Sequence, residues 1–233
     1  MTTDQVTTDR VSVVVPAWNA ERFIEEALRS IVEQTIRPAE IIVVDDGSTD
    51  ATARRAGSFH RSVTVISREH AGIGPARTVG VAASTSELVA FLDADDLWLP
   101  DKLERQLALL DADAATDAVF SQIDEFHDAV DVPPVGVRPP HRAVAAPLAS
   151  AALIRRDRLD RLGPFVTTAV GEWVWWWSRA RAHGVREEFV PHVLVRRRLH
   201  SHNNSHVRHD GGQTFMAIAR AHRRAVEDRG APG

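Results

Sequence analysis

Phe91-Leu92-Asp93-Ala94-Asp95-Asp96 decides how the fold of this chain is interpreted, because it closes an apolar, strand-like run with three carboxylates in four positions. Carboxylates this close repel one another, so a cation is expected among them. A strand ending in such a cluster offers the oxygen ligands that Mg²⁺ or Mn²⁺ prefers, and an ion held this way usually also binds substrate phosphates. The alternative is an acidic turn that caps a helix starting at about Pro100.

The composition is that of a globular α/β protein. With 233 residues, 26% charged and 44% hydrophobic, the chain is long enough for one substantial domain without cross-links. It contains no cysteine, so disulfides and thiolate metal sites are excluded and any metal must be held by oxygen or imidazole. A formal net charge of −4 gives no electrostatic argument for a nucleic-acid partner.

The two ends of the chain bear on its location. Met1 to Arg10 is polar and lacks the apolar core of a signal peptide, and no later segment is apolar for long enough to span a bilayer. These features predict a soluble, cytoplasmic protein without a transmembrane segment. A terminal amphipathic helix is predicted over Gln213 to Arg229, with Arg220, Arg223 and Arg224. Peripheral contact with a membrane surface is open for this helix, but packing against the domain or a partner subunit is favoured. The oligomeric state is not predicted.

Strand and helix patterns alternate through the first half. Val11 to Val15 and Ile41 to Val44 are typical of buried parallel strands, and the helical pattern between them has Asn19 in place to cap it. Further elements are predicted at Thr49 to Ala56, Val63 to Ile66, Ala76 to Ala83, Glu87 to Leu92 and from about Pro100. The fold class is therefore α/β, an open, mostly parallel sheet flanked by helices. Such sheets bind ligands where their strands end, which is where Asn19, Asp45, Asp46, Asp93 and Asp95 fall.

The second half is less regular. Asp131 to Pro147 contains five prolines and is predicted to be a long loop. Helices are predicted at Arg156 to Leu162 and Glu172 to His183, and a strand at Glu188 to Arg197. We expect one domain over residues 1–233, in which a regular half of about 11–112 is followed by a less regular half of about 113–233.

Four segments together resemble the inverting family 2 glycosyltransferases of the GT-A fold. They are Pro16-Ala17-Trp18-Asn19, Val44-Asp45-Asp46-Gly47-Ser48-Thr49-Asp50, Glu69-His70-Ala71-Gly72-Ile73-Gly74-Pro75-Ala76-Arg77, and Phe91 to Asp96 with Trp98-Leu99-Pro100. Their order and spacing match the family over residues 11 to about 110, although Thr78 stands where asparagine is usual. The resemblance implies a nucleotide-diphosphate sugar donor, with a UDP-sugar favoured, bound by the first half, and Mn²⁺ or Mg²⁺ as cofactor. The second half would bind an acceptor, which is small-molecule, peptide or lipid-linked.

The resemblance also implies roles for the matching residues. Asp46, with Asp45, would accept hydrogen bonds from a uracil-like base or its ribose, since an ionised carboxylate is only an acceptor. The same residues could instead form an Asp-Gly turn before a helix cap. Arg77 would reach the nucleotide or its diphosphate. The full donor-binding set is Pro16, Ala17, Trp18, Asn19, Asp45, Asp46, Arg77, Asp93, Ala94, Asp95 and Arg198.

The implied metal site combines carboxylate and imidazole. Asp95 is the expected direct ligand, Asp93 would contact both metal and ribose, and His200 would complete the site. The metal would neutralise the diphosphate as it leaves. Three later histidines are interpreted as solvated loop residues: His202, His206 and His209.

The catalytic base is where this chain departs from the family. Gly171-Glu172-Trp173 stands where the family has Gly-Glu-Asp, so Glu172 is the candidate for deprotonating the acceptor. A glutamate favoured in a first helical turn by the helix dipole is the alternative, and Asp124 is a substitute candidate. Four tryptophans fall in five positions from Trp173, a pattern more often found in cores. One helix face cannot bury them all, so Trp173 and Trp176 are candidates for an acceptor cleft.

Three functions are compatible with these features. The favoured one is a metal-dependent, inverting glycosyltransferase. A non-catalytic sugar-nucleotide-binding protein stays open because of Trp173 in the aspartate position. A nucleotidyltransferase of related architecture would be expected to carry a glycine-rich phosphate loop with arginine and lysine near its start, which Val15 to Asn19 does not resemble.

Overall fold

A computed structural model describes residues 6–127, 143–166 and 171–201 as a mixed α/β structure. The strands are β1 (Val6–Thr7), β2 (Val11–Ala17), β3 (Ile36–Arg37), β4 (Glu40–Asp45), β5 (Val63–Ser67), β6 (Leu88–Phe91), β7 (Leu97–Trp98), β8 (Ala118–His127), β9 (Val144–Ala145), β10 (Leu153–Arg155) and β11 (Glu187–Leu199). The helices are α1 (Ile24–Val32), α2 (Thr52–Phe59), α3 (Ile73–Ala83), α4 (Lys102–Ala112), α5 (Arg156–Leu162) and α6 (Glu172–Ala182), with a 3-10 turn at Ala149–Ala151.

One large sheet joins the two halves of the chain. Its strand order is β5-β4-β2-β6-β10-β8-β11-β7, and β9 pairs with β8 beside this path. The strands β5, β4, β2 and β6 are parallel. Because β10 is antiparallel to both β6 and β8, β8 and its parallel neighbour β11 run in the same direction as the first four strands. The predicted mostly parallel sheet is confirmed, and these strands all end at one edge of the sheet.

The core lies on both faces of the first strands. Every residue of β2 is buried, as are Ile41 to Asp45 in β4 and all of β6. Strands covered on both faces need continuous rather than alternating apolar runs, and this is why the valine-rich segments form the interior strands β2 and β4. On α1, Ile24, Leu28 and Ile31 recur at helical spacing and are buried. No helix within the described residues is both long and apolar enough to cross a bilayer.

Asn19 does not cap α1, which corrects one prediction. The helix begins at Ile24 without a side-chain cap, while Asn19 takes a left-handed backbone conformation with φ of 48°. Its N–H donates to Ser48 Oγ at 2.9 Å, and its Oδ1 accepts the Thr49 N–H at 2.9 Å. Asn19 therefore ties the loop after β2 to the loop after β4.

Helix α2 begins three residues later than predicted, at Thr52 instead of Thr49. The Asp50 carboxylate accepts hydrogen bonds from the Thr52 N–H (2.9 Å) and hydroxyl group. This local side-chain interaction holds the preceding residues in a turn and so delays the helix.

The second half departs further from prediction. The helices α5 and α6 and the strand β11 are confirmed, but β8 and β10 were not predicted. Two residues of the predicted loop, Val144–Ala145, form the edge strand β9. The rest of that loop up to residue 142 and the predicted helix Gln213 to Arg229 lie outside the described residues.

Gly80 allows α3 to approach the central strand closely. A Cβ placed on Gly80 would overlap Val14 Cγ1 and lie 3.1 Å from Val14 Cγ2. We expect Gly80→Ala to lower the free energy of unfolding by about 1–3 kcal/mol, because overpacking at a buried helix–strand contact forces the backbones apart. Urea denaturation of the variant and the wild type measures the change.

Gly57 provides the matched control. It lies within α2, and a Cβ there would meet Val65 Cγ2 at an ordinary 3.7 Å. Gly57→Ala should therefore stabilise the protein by about 0.5–1 kcal/mol through helix propensity alone. Equal effects of the two substitutions would contradict the close approach at Gly80.

Lys102 is a lysine in the core. It is fully buried, its Nζ donates to Gln106 Oε1 at 2.7 Å, and it lies 4.0 Å from the centre of the Trp98 ring. Burial lowers the pKa of Lys102 well below its usual value. The chain contains no tyrosine, no cysteine and a single lysine, so between pH 8 and about 10 no other side chain is expected to titrate.

We expect the free energy of unfolding of the wild type to rise with pH in this interval, relative to Lys102→Met. The unfolded chain keeps the lysine proton up to about pH 10.4, whereas the folded protein releases it earlier. The unfolded state then binds more protons, so stability increases by up to about 1.4 kcal/mol per pH unit. Urea midpoints at several pH values measure this, and parallel profiles for the two proteins would contradict a neutral buried lysine.

Candidate active site

The predicted site residues meet at the edge where the parallel strands end. Ala17 at the end of β2 is the register partner of Asp45 at the end of β4, and the Asp46 N–H donates to Ala17 O at 2.8 Å. The carboxylate cluster follows β6 next to them. Pro16 and Ala17 are buried within the sheet, so Trp18 and Asn19 are the exposed residues of the first segment.

Asp46 is buried and anchors the loop that leads into α3. Its carboxylate accepts the Gly72 N–H at 2.7 Å and the Ala71 N–H at 3.2 Å. It also pairs with Arg68 Nε at 3.3 Å and with His70 Nδ1 at 2.9 Å. The predicted contact of Asp46 with a base stays a prediction, and in this structure its oxygens bind the protein's own loop.

Asp45 and Gly47 form the turn that the sequence left open as an alternative. Asp45 Oδ1 accepts the Ser48 N–H at 3.3 Å, and Gly47 has φ of 75°. A Cβ on Gly47 would lie only 2.8 Å from the backbone nitrogen of His70. The turn after β4 and the loop before α3 are therefore in direct contact.

Trp18 and His70 form an exposed ring pair beside Asp46. Their ring centres are 4.6 Å apart with an angle of 29° between the planes. Trp18 is 49% exposed and the His70 side chain is 51% exposed. The pair therefore presents aromatic surface to solvent at the edge where the parallel strands end.

Arg77 is buried and bridges two carboxylates from different parts of the chain. It is 2% exposed; Nη2 donates to Asp93 Oδ1 at 2.6 Å and Nη1 donates to Glu172 Oε1. Its guanidinium carbon also lies 5.6 Å from the Trp173 ring centre. Arg77 was predicted to reach a nucleotide; the structure places it between the aspartate of the carboxylate cluster and the candidate base.

The charges of this triad are interdependent. Burial alone would lower the pKa of Arg77, but Asp93 and Glu172 raise it above its ordinary value. Burial raises the pKa of Asp93, with Arg77 opposing and Asp95 and Glu172 adding to the rise. Arg77 therefore stays cationic and offsets two carboxylates at once.

Asp95 and His200, the two residues expected to bind a metal most directly, lie next to each other. His200 Nε2 lies 2.9 Å from Asp95 Oδ2, and the buried imidazole packs on Phe23 with ring centres 4.7 Å apart. No group of three or more histidine, aspartate or glutamate side chains is arranged to hold a metal in residues 6–127, 143–166 and 171–201. One carboxylate and one imidazole nevertheless fit an ion that takes its other ligands from phosphate and water, as Mg²⁺ usually does.

Arg198 contacts the backbone of Asp95 and so helps to hold this pair in place. Its Nε donates to the Asp95 carbonyl oxygen at 3.0 Å and its Nη2 to Glu26 Oε2 at 2.5 Å. The guanidinium also lies 4.7 Å from the centre of the Phe126 ring. Arg198 was predicted to balance phosphate charge; its described contacts hold the end of β11 against the carboxylate loop.

Asp96 and Ser150 organise the site, although Asp96 was given no role of its own in the sequence analysis and Ser150 was not considered there. Asp96 is buried, accepts the Ser150 hydroxyl at 2.7 Å and accepts the Arg198 N–H at 3.1 Å. Ser150 Oγ in turn accepts the Asp93 N–H at 3.2 Å. Burial raises the pKa of Asp96 well above its usual range, and Asp95 and Asp93 add to this. The carboxylate cluster itself pointed to Asp96, whereas no local pattern singles out Ser150.

Glu172 is the first residue of α6 and lies next to α3. It follows Gly171, which has φ of 76°, and a Cβ on Gly74 would come within 3.3 Å of Glu172 Cγ. The substitute base Asp124 lies on β8, opposite Arg196 in the register. Glu172 is thus the acidic candidate that the described contacts connect to Asp93.

Trp173 and Trp176 are core residues, so their predicted place in an open acceptor cleft is not supported. The indole N–H groups donate to Pro147 O (2.6 Å) and Gly163 O (2.9 Å), and both rings stack on Phe165. Trp175 is the exposed indole of this helix, at 64%. The prediction that one helix face cannot bury all four indoles was correct, but the exposed ring is Trp175 and not Trp173 or Trp176.

The fold and site define a class of protein. A mainly parallel sheet with a carboxylate cluster after one of its central strands is the GT-A type of nucleotide-diphospho-sugar transferase fold. A crystal structure of TarS (residues 1–349) from S. aureus in complex with UDP-GlcNAc has this fold. It matches 96% of this chain and 68% of its own with a TM-score of 0.71 and 21% identity, a likeness that shows the fold alone.

The family follows from the sequence comparison. The family model described as Glycosyl transferase family 2 matches residues 12–148, more than half of the chain. The chain therefore belongs to glycosyl transferase family 2, as its four motifs predicted.

Two curated relatives illustrate the extent of the similarity. An uncharacterized glycosyltransferase from Nostoc sp. is 39% identical over 100 residues, which are 41% of this chain and 31% of that protein. The UDP-Glc:alpha-D-GlcNAc-diphosphoundecaprenol beta-1,3-glucosyltransferase WfgD of Escherichia coli is 34% identical over 102 residues, 43% of this chain and 40% of WfgD. The aligned segments span less than half the length of each relative.

We expect Arg77→Met to lower the free energy of unfolding by about 2–3 kcal/mol, because it leaves two carboxylates facing each other without a cation. We expect a smaller loss than is usual for breaking a fully buried ion pair, because the Asp93 side chain is 32% exposed and can be hydrated. Urea denaturation at neutral pH measures the loss.

A second substitution tests the cause. In the Arg77→Met background, Glu172→Gln removes one of the two uncompensated charges and should recover part of the lost stability. If the double variant is as unstable as Arg77→Met, lost packing around the guanidinium stem explains the effect and charge compensation does not.

Proposed function

We propose that this chain is a metal-dependent, inverting glycosyltransferase that moves a sugar from a nucleoside-diphosphate donor, with UDP-sugars favoured, to a hydroxyl acceptor. The observation that carries the proposal is the Asp93–Arg77–Glu172 triad. It places an acidic side chain of the second half directly beside the carboxylate cluster of the first half. A donor and an acceptor bound by the two halves would meet at this point.

The donor class is supported by the comparisons. TarS was crystallised with UDP-GlcNAc, and WfgD is named for transfer from UDP-Glc. In this chain, we assign the donor to the half of about 11–112, with its exposed Trp18 and the carboxylates after β4 and β6. The acceptor then belongs to the half of about 113–233, where Trp175 is the exposed indole.

Asp95 and His200 would hold a divalent cation, with Asp93 beside them. When bound, Mn²⁺ or Mg²⁺ would neutralise negative charge on the diphosphate. Arg198 and Asp96 keep this loop in place through the Arg198 N–H and Nε contacts.

Glu172 is assigned the acid–base role. It would take the proton of the acceptor hydroxyl as that oxygen bonds to the anomeric carbon, while the bond to the diphosphate oxygen breaks and its electrons leave with the nucleotide. Because attack comes from the face opposite the leaving group, the configuration inverts. Arg77 binds Oε1 of Glu172 and so fixes the carboxylate, and we assign the proton to Oε2.

A second candidate function is binding of a sugar nucleotide without transfer. The observation that favours it is Trp173, which stands next to Glu172 where a second carboxylate would be expected and is buried in an aromatic cluster. The charge of Glu172 is also compensated by Arg77.

Calorimetry of UDP binding with and without Mn²⁺ tests the donor site. We expect Mn²⁺-dependent binding by the wild type, weakened at least about tenfold in Asp95→Ala because a metal ligand is lost. Asp101→Ala is the control, since Asp101 is an acidic residue of the same loop region whose described partner is Arg105. No nucleotide binding by the wild type under either condition would sink the proposal.

Glu172→Gln separates the two candidate functions. Glutamine keeps an oxygen for Arg77 but cannot take a proton, so UDP affinity should stay within about threefold while UDP release from UDP-glucose or UDP-GlcNAc with an acceptor mixture falls at least about 100-fold. Unchanged turnover would remove Glu172 as the base. A wild type that binds UDP but turns over no donor with any acceptor would favour the binding function.

A further inference from the structure

The carboxylate predicted to read the nucleotide base is directed at the protein itself. Asp46 is buried, and its oxygens accept the N–H groups of Ala71 and Gly72 and pair with Arg68. These contacts fix the loop before α3. His70 is the residue that connects Asp46 to the surface.

The contacts of His70 define its tautomer. Nδ1 lies 2.9 Å from Asp46 Oδ2 and 3.0 Å from the Asp46 carbonyl oxygen. A carbonyl oxygen and an ionised carboxylate only accept hydrogen bonds, so Nδ1 must carry the proton. In a neutral imidazole the other nitrogen, Nε2, is then an acceptor, on the side of the ring away from Asp46. By binding Nδ1, Asp46 thus makes Nε2 of the half-exposed His70 ring a hydrogen-bond acceptor.

Trp18 provides the surface on which a base would rest. It stacks on His70 at 4.6 Å and is 49% exposed. Nε2 belongs to the ring that stacks on this indole, so a flat base bonded to Nε2 would lie beside the exposed indole as well. Stacking and an in-plane hydrogen bond then act together.

We propose that His70 Nε2 reads the base of the donor nucleotide by accepting a hydrogen bond from a ring N–H. Uracil carries such a hydrogen at N3, whereas cytosine has a lone pair there and would face the lone pair of Nε2. His70 Nε2 therefore selects uridine over cytidine nucleotides, while Trp18 would stack equally on either base. This inference rests on the proposed function, since it concerns the donor of the same site.

The test is calorimetry of UDP and CDP with Mn²⁺ on the wild type, His70→Asn and His70→Phe. Asparagine keeps an amide N–H for Asp46, and phenylalanine keeps a ring for Trp18, but neither has an acceptor at the Nε2 position. We expect the wild type to favour UDP by about tenfold or more and both variants to bind UDP and CDP within about twofold of each other. Trp18→Ala is the control, because it should weaken both nucleotides by a similar factor and preserve their ratio.

The outcomes distinguish this inference from the function it rests on. If the wild type binds UDP with Mn²⁺ but the variants keep its preference over CDP, His70 is not the reader, while the donor class stands. If the wild type prefers CDP, the tautomer argument is wrong. If the wild type binds neither nucleotide, the proposed function fails and this inference with it. Thermal melting shows whether His70→Asn and His70→Phe are folded. One folded variant is enough to test whether the preference for UDP over CDP depends on His70.

Discussion

A guanidinium that is almost fully removed from water needs carboxylates close by. In this protein the buried guanidinium has two carboxylate partners, which come from different parts of the chain. Arg77 lies on α3, Asp93 follows β6 and Glu172 begins α6. Loss of either contact would leave a charge poorly compensated in a low-dielectric environment, which is costly. The relative positions of two helices and the carboxylate loop are thus constrained by one side chain. The same constraint that stabilises the fold brings Glu172, the candidate base, next to the carboxylate cluster.

The sheet makes this meeting possible. A single antiparallel strand, β10, lies between the strands of the first half and the pair β8 and β11. Because it reverses direction on both sides, β11 ends at the same edge as β6. That is how His200, more than 100 residues from Asp95 in sequence, reaches its carboxylate at 2.9 Å. The 3-10 turn before β10 adds Ser150 to the same network.

The sequence predicted well what depends on local pattern. Apolar runs closed by polar residues located β2, β4 and β6, and the motifs placed Asp45, Asp46, Asp93 and Asp95 at strand ends. Contacts between distant residues were not accessible in this way. Neither the pairing of Arg77 with Glu172, 95 residues apart, nor the role of Ser150 has a local signature. The burial of Trp173 and Trp176 was ambiguous for a related reason, since spacing on a helix does not say which neighbour covers each face.

The buried Lys102 has a practical consequence for chemical work on this protein. It is the single lysine of the chain and its side chain is fully buried. In the native state, amine-directed reagents therefore find no lysine on the surface and are limited to the α-amino group. Immobilisation, dye labelling or cross-linking through lysine would capture opened molecules instead of native ones. Such a reagent reports local or global unfolding around α4, while labelling of the native protein requires other side-chain chemistry.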